Sequence, residues 1–147
     1  MYDFFRSVVQ YSERLRLARF FFALFLCVVY DTICRMSYEI KAFVTETGRV
    51  PYDEWFSALD AVTAQRVLRN VLRMSDGNFA NCKPIESAQV KGVFERVMDF
   101  GPGYRVYYGI DGGAIILLLT GGSKRTQRSD ISKALAFWKD YKNRKVS

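Results

Sequence analysis

Residues 90–119 read VKGVFERVMDFGPGYRVYYGIDGGAIILLL, and the interpretation of the fold begins with this segment. Runs rich in β-branched and aromatic residues alternate with glycine-rich turns, a pattern that favours an antiparallel meander. The predicted strands are Val90–Phe100, Tyr104–Ile110 and Ala114–Leu119, with turns at 101–103 and 111–113. The third run is apolar at every position, which is typical of a central strand buried on both faces. We expect Gly121-Gly122 to end that strand.

The segment before the meander predicts one strand and two helices. Tyr38 to Thr45 alternates in part and indicates a first strand. The apolar spacing from Tyr52 to Met74 is helical, and a break near Ser57 to Asp60 would make this region a helical hairpin. Asp60 is a suitable N-cap for the second helix, and Gly77 stands where a glycine would end it.

A basic helix is predicted after the meander. Asp130 to Tyr141 carries Ile131, Ala134, Leu135 and Trp138 at helical spacing, so we expect this helix to lie on the sheet. The predicted order is therefore β-α-α-β-β-β-α, an α+β domain with a small antiparallel-rich sheet.

Residues 1–35 differ from the rest of the chain. Phe20 to Tyr30 is an unbroken apolar run, but a membrane span needs roughly 20 apolar residues. A buried or interfacial helix is one interpretation. The interpretation we favour is that residues 1–35 are an upstream extension, with the native start at Met36 and the domain at 36–147.

The composition limits the chemistry that the chain can perform. It has no histidine, which removes the commonest general acid or base and the commonest zinc ligand, so neither a metal nor another cofactor is expected. Three cysteines without ligand spacing favour a reducing compartment, and the cytoplasm is the predicted location. The net charge is +7, and basic residues are concentrated from Lys124 to the end of the chain. This distribution suits a polyanion such as nucleic acid, although a solvated helix face would look the same.

Three stretches resemble toxins of the RelE/ParE superfamily. They are Gly77-Asn78-Phe79 with Lys83-Pro84-Ile85, Asp99-Phe100-Gly101-Pro102-Gly103-Tyr104-Arg105-Val106-Tyr107-Tyr108, and Leu117-Leu118-Leu119-Thr120-Gly121-Gly122-Ser123-Lys124 followed by Gln127 and Asp130. Within the superfamily they are most similar to the phage-derived addiction module killer branch, which is HigB-like. The resemblance covers Tyr38 to about Tyr141.

The resemblance implies the toxin of a type II toxin–antitoxin system, an mRNA endonuclease (mRNA interferase) that inhibits translation on the ribosome. Such an enzyme uses the 2′-hydroxyl of the RNA against the adjacent phosphate, and cationic donors can stabilise the charge that develops. The implied partners are the ribosome, mRNA and a HigA-like helix-turn-helix antitoxin. Promoter DNA would be contacted only through the antitoxin complex, and no stable membrane association is expected.

Arg105 is the first candidate catalytic residue, because it matches the family's arginine after the GPG turn and a guanidinium can hold a phosphate through two parallel bonds. A structural ion pair is the alternative role. If 101–103 closes a hairpin with Phe100 opposite Tyr104, then Asp99 faces Arg105.

Lys124 and Arg125 complete the predicted catalytic set. Lys124 matches the family's lysine after Gly121-Gly122, whose flexible backbone would present N–H groups to an anion. Because it is crowded by other cations, Lys124 is suited to act as base or acid. Arg128 is a candidate for RNA binding, although for this residue we favour the interpretation of a charged loop.

Tyr104, Tyr107 and Arg96 are the remaining candidates for RNA binding. Alternation along the strand places Tyr107 on the face of Arg105, so we expect Tyr107 to stack on a base and Tyr104 to lie in the core, although the two roles could be reversed. Val97 stands where this branch commonly has an arginine. Arg96 is displaced by one residue and therefore points to the other face.

Two other functions remain open. ParE-like proteins share the fold but inhibit DNA gyrase without cleaving anything, and the loss of an arginine at Val97 favours that alternative. A decayed toxin that binds only RNA or its antitoxin would also fit the residues.

Overall fold

A computed structural model describes residues 37–146 of the chain, and the interpretations of residues 1–35 lie outside this range. Five strands form one mixed sheet: β1 (Glu39–Ala42), β2 (Cys82–Pro84), β3 (Val93–Met98), β4 (Tyr104–Asp111) and β5 (Ile115–Ser123). Their order across the sheet is β1-β5-β4-β3-β2. β1 runs parallel to β5, and the other neighbours are antiparallel. The predicted meander is therefore the centre of the sheet.

The helices lie before and after the meander, as the sequence predicted. They are α1 (Pro51–Ser57), α2 (Ala61–Ser75) and α3 (Gln127–Val146), with a 3₁₀ turn at Lys124–Thr126. The Asp60 carboxylate caps α2 by accepting hydrogen bonds from the backbone of Val62 and Thr63 at 3.1 and 3.0 Å. Gly77 has a φ of 79° and follows the C-cap Asp76 of α2. The α+β class, the helical hairpin and its two boundary residues are confirmed.

Each face of the sheet packs against its own helices. Strand alternation directs Val106 and Tyr108 toward α1 and α2, and Tyr107 toward α3. The cluster on the first face contains Tyr52, Val67, Val71, Met74, Met98, Val106, Tyr108, Ile116 and Leu118. The cluster on the second face contains Phe43, Val93, Tyr107, Leu117, Leu119, Ala134 and Trp138. β5 contributes to both clusters, so the predicted burial of this strand on both faces is confirmed.

The prediction that Gly121-Gly122 ends the last strand was wrong. β5 continues to Ser123, because both glycines are packing positions inside the strand. A Cβ at Gly121 would lie 2.1 Å from the Trp55 ring, and a Cβ at Gly122 would lie 1.9 Å from Asp130 Oδ2. β2 was not predicted, since three residues are too few to show an alternating pattern.

Part of the basic C-terminal cluster stabilises the fold. Asp111 is the last residue of β4. Its carboxylate accepts hydrogen bonds from Lys145, from Lys142 at 3.0 Å and from Tyr141 at 2.9 Å. Arg144 binds the backbone carbonyl of Val44 at 2.9 Å. These contacts attach the end of α3 to the sheet, so these basic side chains are not simply a solvated face. Within residues 37–146, no helix combines the length and the hydropathy needed to span a membrane.

Asp111→Asn is expected to lower the free energy of unfolding at neutral pH by about 1–2 kcal/mol, because it removes the charge that the lysines bind. The hydrogen bonds from Lys145 and Lys142 hold the pKa of Asp111 well below its ordinary value. The stability it contributes is therefore present above the unfolded pKa, about 3.9, and is lost as the pH falls below it. Urea unfolding at pH 7 and pH 3 measures both effects. An equal deficit of the variant at the two pH values would contradict this account.

Candidate functional site

The register between β3 and β4 differs from the predicted one by two residues. Tyr104 lies opposite Met98, and Arg105 lies opposite Val97. The predicted pairs of Phe100 with Tyr104 and of Asp99 with Arg105 are therefore wrong.

The connection between β3 and β4 explains this register, because it runs from 99 to 103 rather than from 101 to 103. The backbone N–H of Phe100 donates to Met98 at 3.0 Å, and the Phe100 ring packs 5.4 Å from Tyr104 beneath the Arg66 guanidinium. Since side chains alternate with a period of two, a shift of two residues preserves the face of each side chain. Asp99 is left exposed.

Glu95 is the carboxylate that pairs with Arg105. Its Oε2 lies 3.5 Å from Arg105 Nε, and the two side chains are 12% and 11% exposed. The same oxygen accepts a hydrogen bond from Gln127 Nε2 at 3.2 Å, which connects the pair to the first residue of α3. The sequence interpretation assigned Glu95 no functional role. The sequence did contain one indication of this pair, since alternation along the neighbouring strand places the acidic Glu95 on the same face of the sheet as Arg105.

Lys124 lies beside Arg105 through a shared backbone contact. The carbonyl of Gly103 accepts hydrogen bonds from the backbone N–H of Lys124 at 2.8 Å and from Arg105 Nη1 at 3.3 Å. A Cβ at Gly103 would lie 3.5 Å from Lys124 Cβ and 3.7 Å from that nitrogen. These contacts place Glu95, Arg105 and the backbone of Lys124 next to one another at one end of the sheet, and we call these three residues the cationic cluster.

The remaining predicted cations of this region lie close to the cluster in sequence. Arg125 belongs to the 3₁₀ turn and Arg128 to the first turn of α3, and both are exposed. Among residues 37–146, neither forms an ion pair. Gly121 and Gly122 lie in the β4–β5 ladder opposite Val106 and Arg105, and not in the flexible anion-binding loop that the sequence suggested.

The burial of Tyr104 and Tyr107 is the reverse of what we expected from the sequence. Tyr107 is fully buried, so it lacks the exposure needed to stack on a base, whereas Tyr104 is only partly buried. Burial raises the pKa of the Tyr107 hydroxyl above its ordinary value, and the charges of Glu95 and Asp130 raise it further. The hydroxyl is therefore neutral at physiological pH, and it has no hydrogen-bond partner among the described residues.

Arg96 lies on the face opposite to Arg105, as alternation predicted. It is 3% exposed, and its guanidinium donates to the carbonyl of Asn78 at 2.9 Å and to Asn70 Oδ1 at 3.1 Å. In this structure the side chain connects β3 to the end of α2 and is not accessible to RNA. Val97, where the resemblance led us to expect an arginine, lies directly opposite Arg105.

A cavity of about 700 Å³ wraps the edge of β5 next to the cationic cluster. Its strand side is formed by the segment from Thr120 to Ser123, and α1 and α3 form its walls. The aromatic lining consists of Trp55, Tyr104 and Phe137, and the charged lining consists of Arg49, Glu54, Asp130 and Lys133.

Comparison with known proteins places the chain in a family. Residues 54–139 match the family described as "Phage derived protein Gp49-like (DUF891)". A Haemophilus influenzae protein, which carries the name "Uncharacterized protein", is 35% identical over 100 residues, 67% of this chain and 91% of that protein. The toxin–antitoxin complex RelBE2 from Mycobacterium tuberculosis contains a chain that is 18% identical, with a TM-score of 0.46, over 60% of this chain and 99% of that one. The family match spans more than half of the sequence, so the chain belongs to the phage-derived Gp49-like family.

Proposed function

We propose that this protein is the HigB-like toxin of a type II toxin–antitoxin system and that it cleaves mRNA on the ribosome without a metal ion. The observation that carries the proposal is the Gly103 carbonyl, which holds Arg105 and the backbone of Lys124 side by side. A buried carboxylate, Glu95, lies against the same guanidinium. Cleavage through the RNA's own 2′-hydroxyl requires a base, an anion-binding group and an acid, and a carboxylate, a guanidinium and a lysine have the chemistry for these roles.

Each member of the cationic cluster has one role in this reaction. Glu95 accepts the proton of the 2′-hydroxyl, whose oxygen then attacks the adjacent phosphorus. Arg105 binds the non-bridging oxygens of the phosphorane, where negative charge develops. Lys124 donates a proton to the departing 5′-oxygen, so the products are a 2′,3′-cyclic phosphate and a free 5′-hydroxyl.

The surface around the cluster suits a polyanionic substrate. Arg125 and Arg128 are exposed beside Lys124 and would contact the RNA backbone on either side of the cleaved bond. The partners that accompany this function are the ribosome and a HigA-like antitoxin, with promoter DNA bound only through the antitoxin complex. The proposed location is the cytoplasm.

Inducible expression without antitoxin tests this function. Growth arrest and new mRNA 5′ ends inside coding sequence are expected for the wild type, and both should be lost in Glu95→Gln and Lys124→Ala. Arg73→Ala is the matched control, since it removes an exposed cation from α2, away from the cluster. Arrest with intact mRNA and damaged DNA would support the gyrase alternative. Absence of arrest from a folded protein would refute the toxin assignment.

A further inference from the structure

The edge strand β2 carries a lysine beside the cationic cluster. Lys83 lies directly opposite Glu95 of β3, and Glu95 lies directly opposite Tyr107 of β4. Residues that face each other in an antiparallel ladder project from the same face of the sheet, with Cβ atoms about 4.5–5.5 Å apart. Lys83 therefore projects from the face that carries Arg105, and Glu95 lies on the strand between them.

The ammonium group of Lys83 is not used to stabilise the fold. The residue is exposed at the edge of the sheet. Its cross-strand neighbour Glu95 pairs with Arg105, and Lys83 itself forms no ion pair within residues 37–146. The cation is therefore free to bind a partner from solution.

The charge of Glu95 explains why a cation is useful at this position. When RNA binds at the cationic cluster, the Glu95 carboxylate lies near phosphates of the same charge, and repulsion is strong where the groups are largely shielded from water. Arg105 offsets this repulsion from the side of β4. On the other side of Glu95, Lys83 is the only charged residue of β2.

We propose that Lys83 binds an RNA phosphate next to the one that is cleaved, on the β2 side of Glu95. An ammonium group suits this role, because a phosphate contact positions the RNA without reading its sequence. The strands β2 and β4 are about 10 Å apart, so Lys83 and Arg105 can engage different phosphates of one RNA strand. The inference rests on the proposed function, since it takes RNA to be the substrate at the cationic cluster. It assigns Lys83 to substrate binding and not to the chemical step.

Binding of an RNA that cannot be cleaved tests this contact apart from the chemistry. The probe is a fluorescein-labelled, single-stranded 2′-O-methyl oligonucleotide, which lacks the attacking hydroxyl, and its anisotropy gives the dissociation constant at several salt concentrations. Lys83→Ala should reduce the slope of log K against log salt by about 0.7, the value for one phosphate contact on a single strand. Lys83→Arg keeps the charge and should retain the wild-type slope.

Lys41→Ala is the matched control, because Lys41 is an exposed lysine on the other edge strand, β1. It lies opposite Leu117 on the same face of the sheet, and its Nζ is 3.1 Å from Glu39. Its removal should leave the slope unchanged. A wild-type slope in Lys83→Ala, or an equal reduction in Lys41→Ala, would overturn the proposal. A wild-type protein that does not bind the oligonucleotide would overturn it too.

Cleavage on the ribosome distinguishes substrate binding from an indirect effect on Glu95. Loss of a contact that is equally strong before and during the reaction should raise KM severalfold in Lys83→Ala and leave kcat within about twofold of the wild type. A fall in kcat with an unchanged salt slope would show that Lys83 acts through Glu95, against the proposal. RNA binding that depends on Lys83, in a protein that cleaves no RNA, would leave this inference standing and refute the nuclease.

Discussion

Arg105→Ala is expected to slow mRNA cleavage on the ribosome by about 100- to 1,000-fold, the usual loss when one donor to a developing oxyanion is removed. The guanidinium is held between the Glu95 carboxylate and the Gly103 carbonyl, so its position is set before RNA binds. Arg105→Lys should also lose most of the activity, because an ammonium cannot make the two parallel bonds of a guanidinium. Cleavage of a defined message on stalled ribosomes, followed by primer extension, measures the rate.

The fold must be monitored in this experiment, because removing Arg105 leaves Glu95 without its ion pair. Thermal unfolding of each variant distinguishes a damaged site from a damaged protein. Arg73→Ala should cleave at the wild-type rate, since Arg73 lies on α2. A folded Arg105→Ala protein that cleaves as fast as the wild type would show that Arg105 is only the structural partner of Glu95.

Trp138→Ala is expected to lower the free energy of unfolding by about 3–5 kcal/mol, the usual cost of removing a buried large aromatic side chain. Trp138 is 2% exposed and donates from Nε1 to the carbonyl of Lys91 at 2.9 Å. Its ring lies directly against Gly109 of β4, so this residue attaches α3 to the sheet. Urea unfolding at equilibrium measures the loss.

Gly109 provides an independent test of the same contact. A Cβ at this position would lie 2.3 Å from the Trp138 ring, so Gly109→Ala should destabilise the protein by about 1–3 kcal/mol through overpacking. In the Trp138→Ala background the added methyl group has space, and Gly109→Ala should cost much less. Additive losses in the double variant would mean that these residues are not in contact.

Features that depend on neighbours in the chain could be predicted from the sequence. The hairpin of α1 and α2, the Asp60 cap and the Gly77 terminus follow from spacing and from backbone preferences over a few residues. The alternating faces of β4 also follow from a local period of two, which is why Tyr104 and Tyr107 were correctly placed on opposite faces.

The cationic cluster was predicted only in part. Arg105 and Lys124 were identified by their motifs, but Glu95 was missed because Asp99 was expected as the partner of Arg105. That expectation depended on a turn of three residues. Phe100 instead packs on Tyr104, and a turn of five residues moves Glu95 two places along β4.

By itself the sequence determined the fold class and the order of every element except β2, because both are encoded in local periodicity and short motifs. The tertiary structure alone decided the partner of Arg105, the burial of Tyr107 and the role of Gly121 and Gly122. Each of these depends on which side chain from a distant element occupies a space. The Trp55 ring and the Asp130 carboxylate occupy the space that side chains at Gly121 and Gly122 would need. A local sequence pattern cannot predict such contacts, because the residues come from different elements.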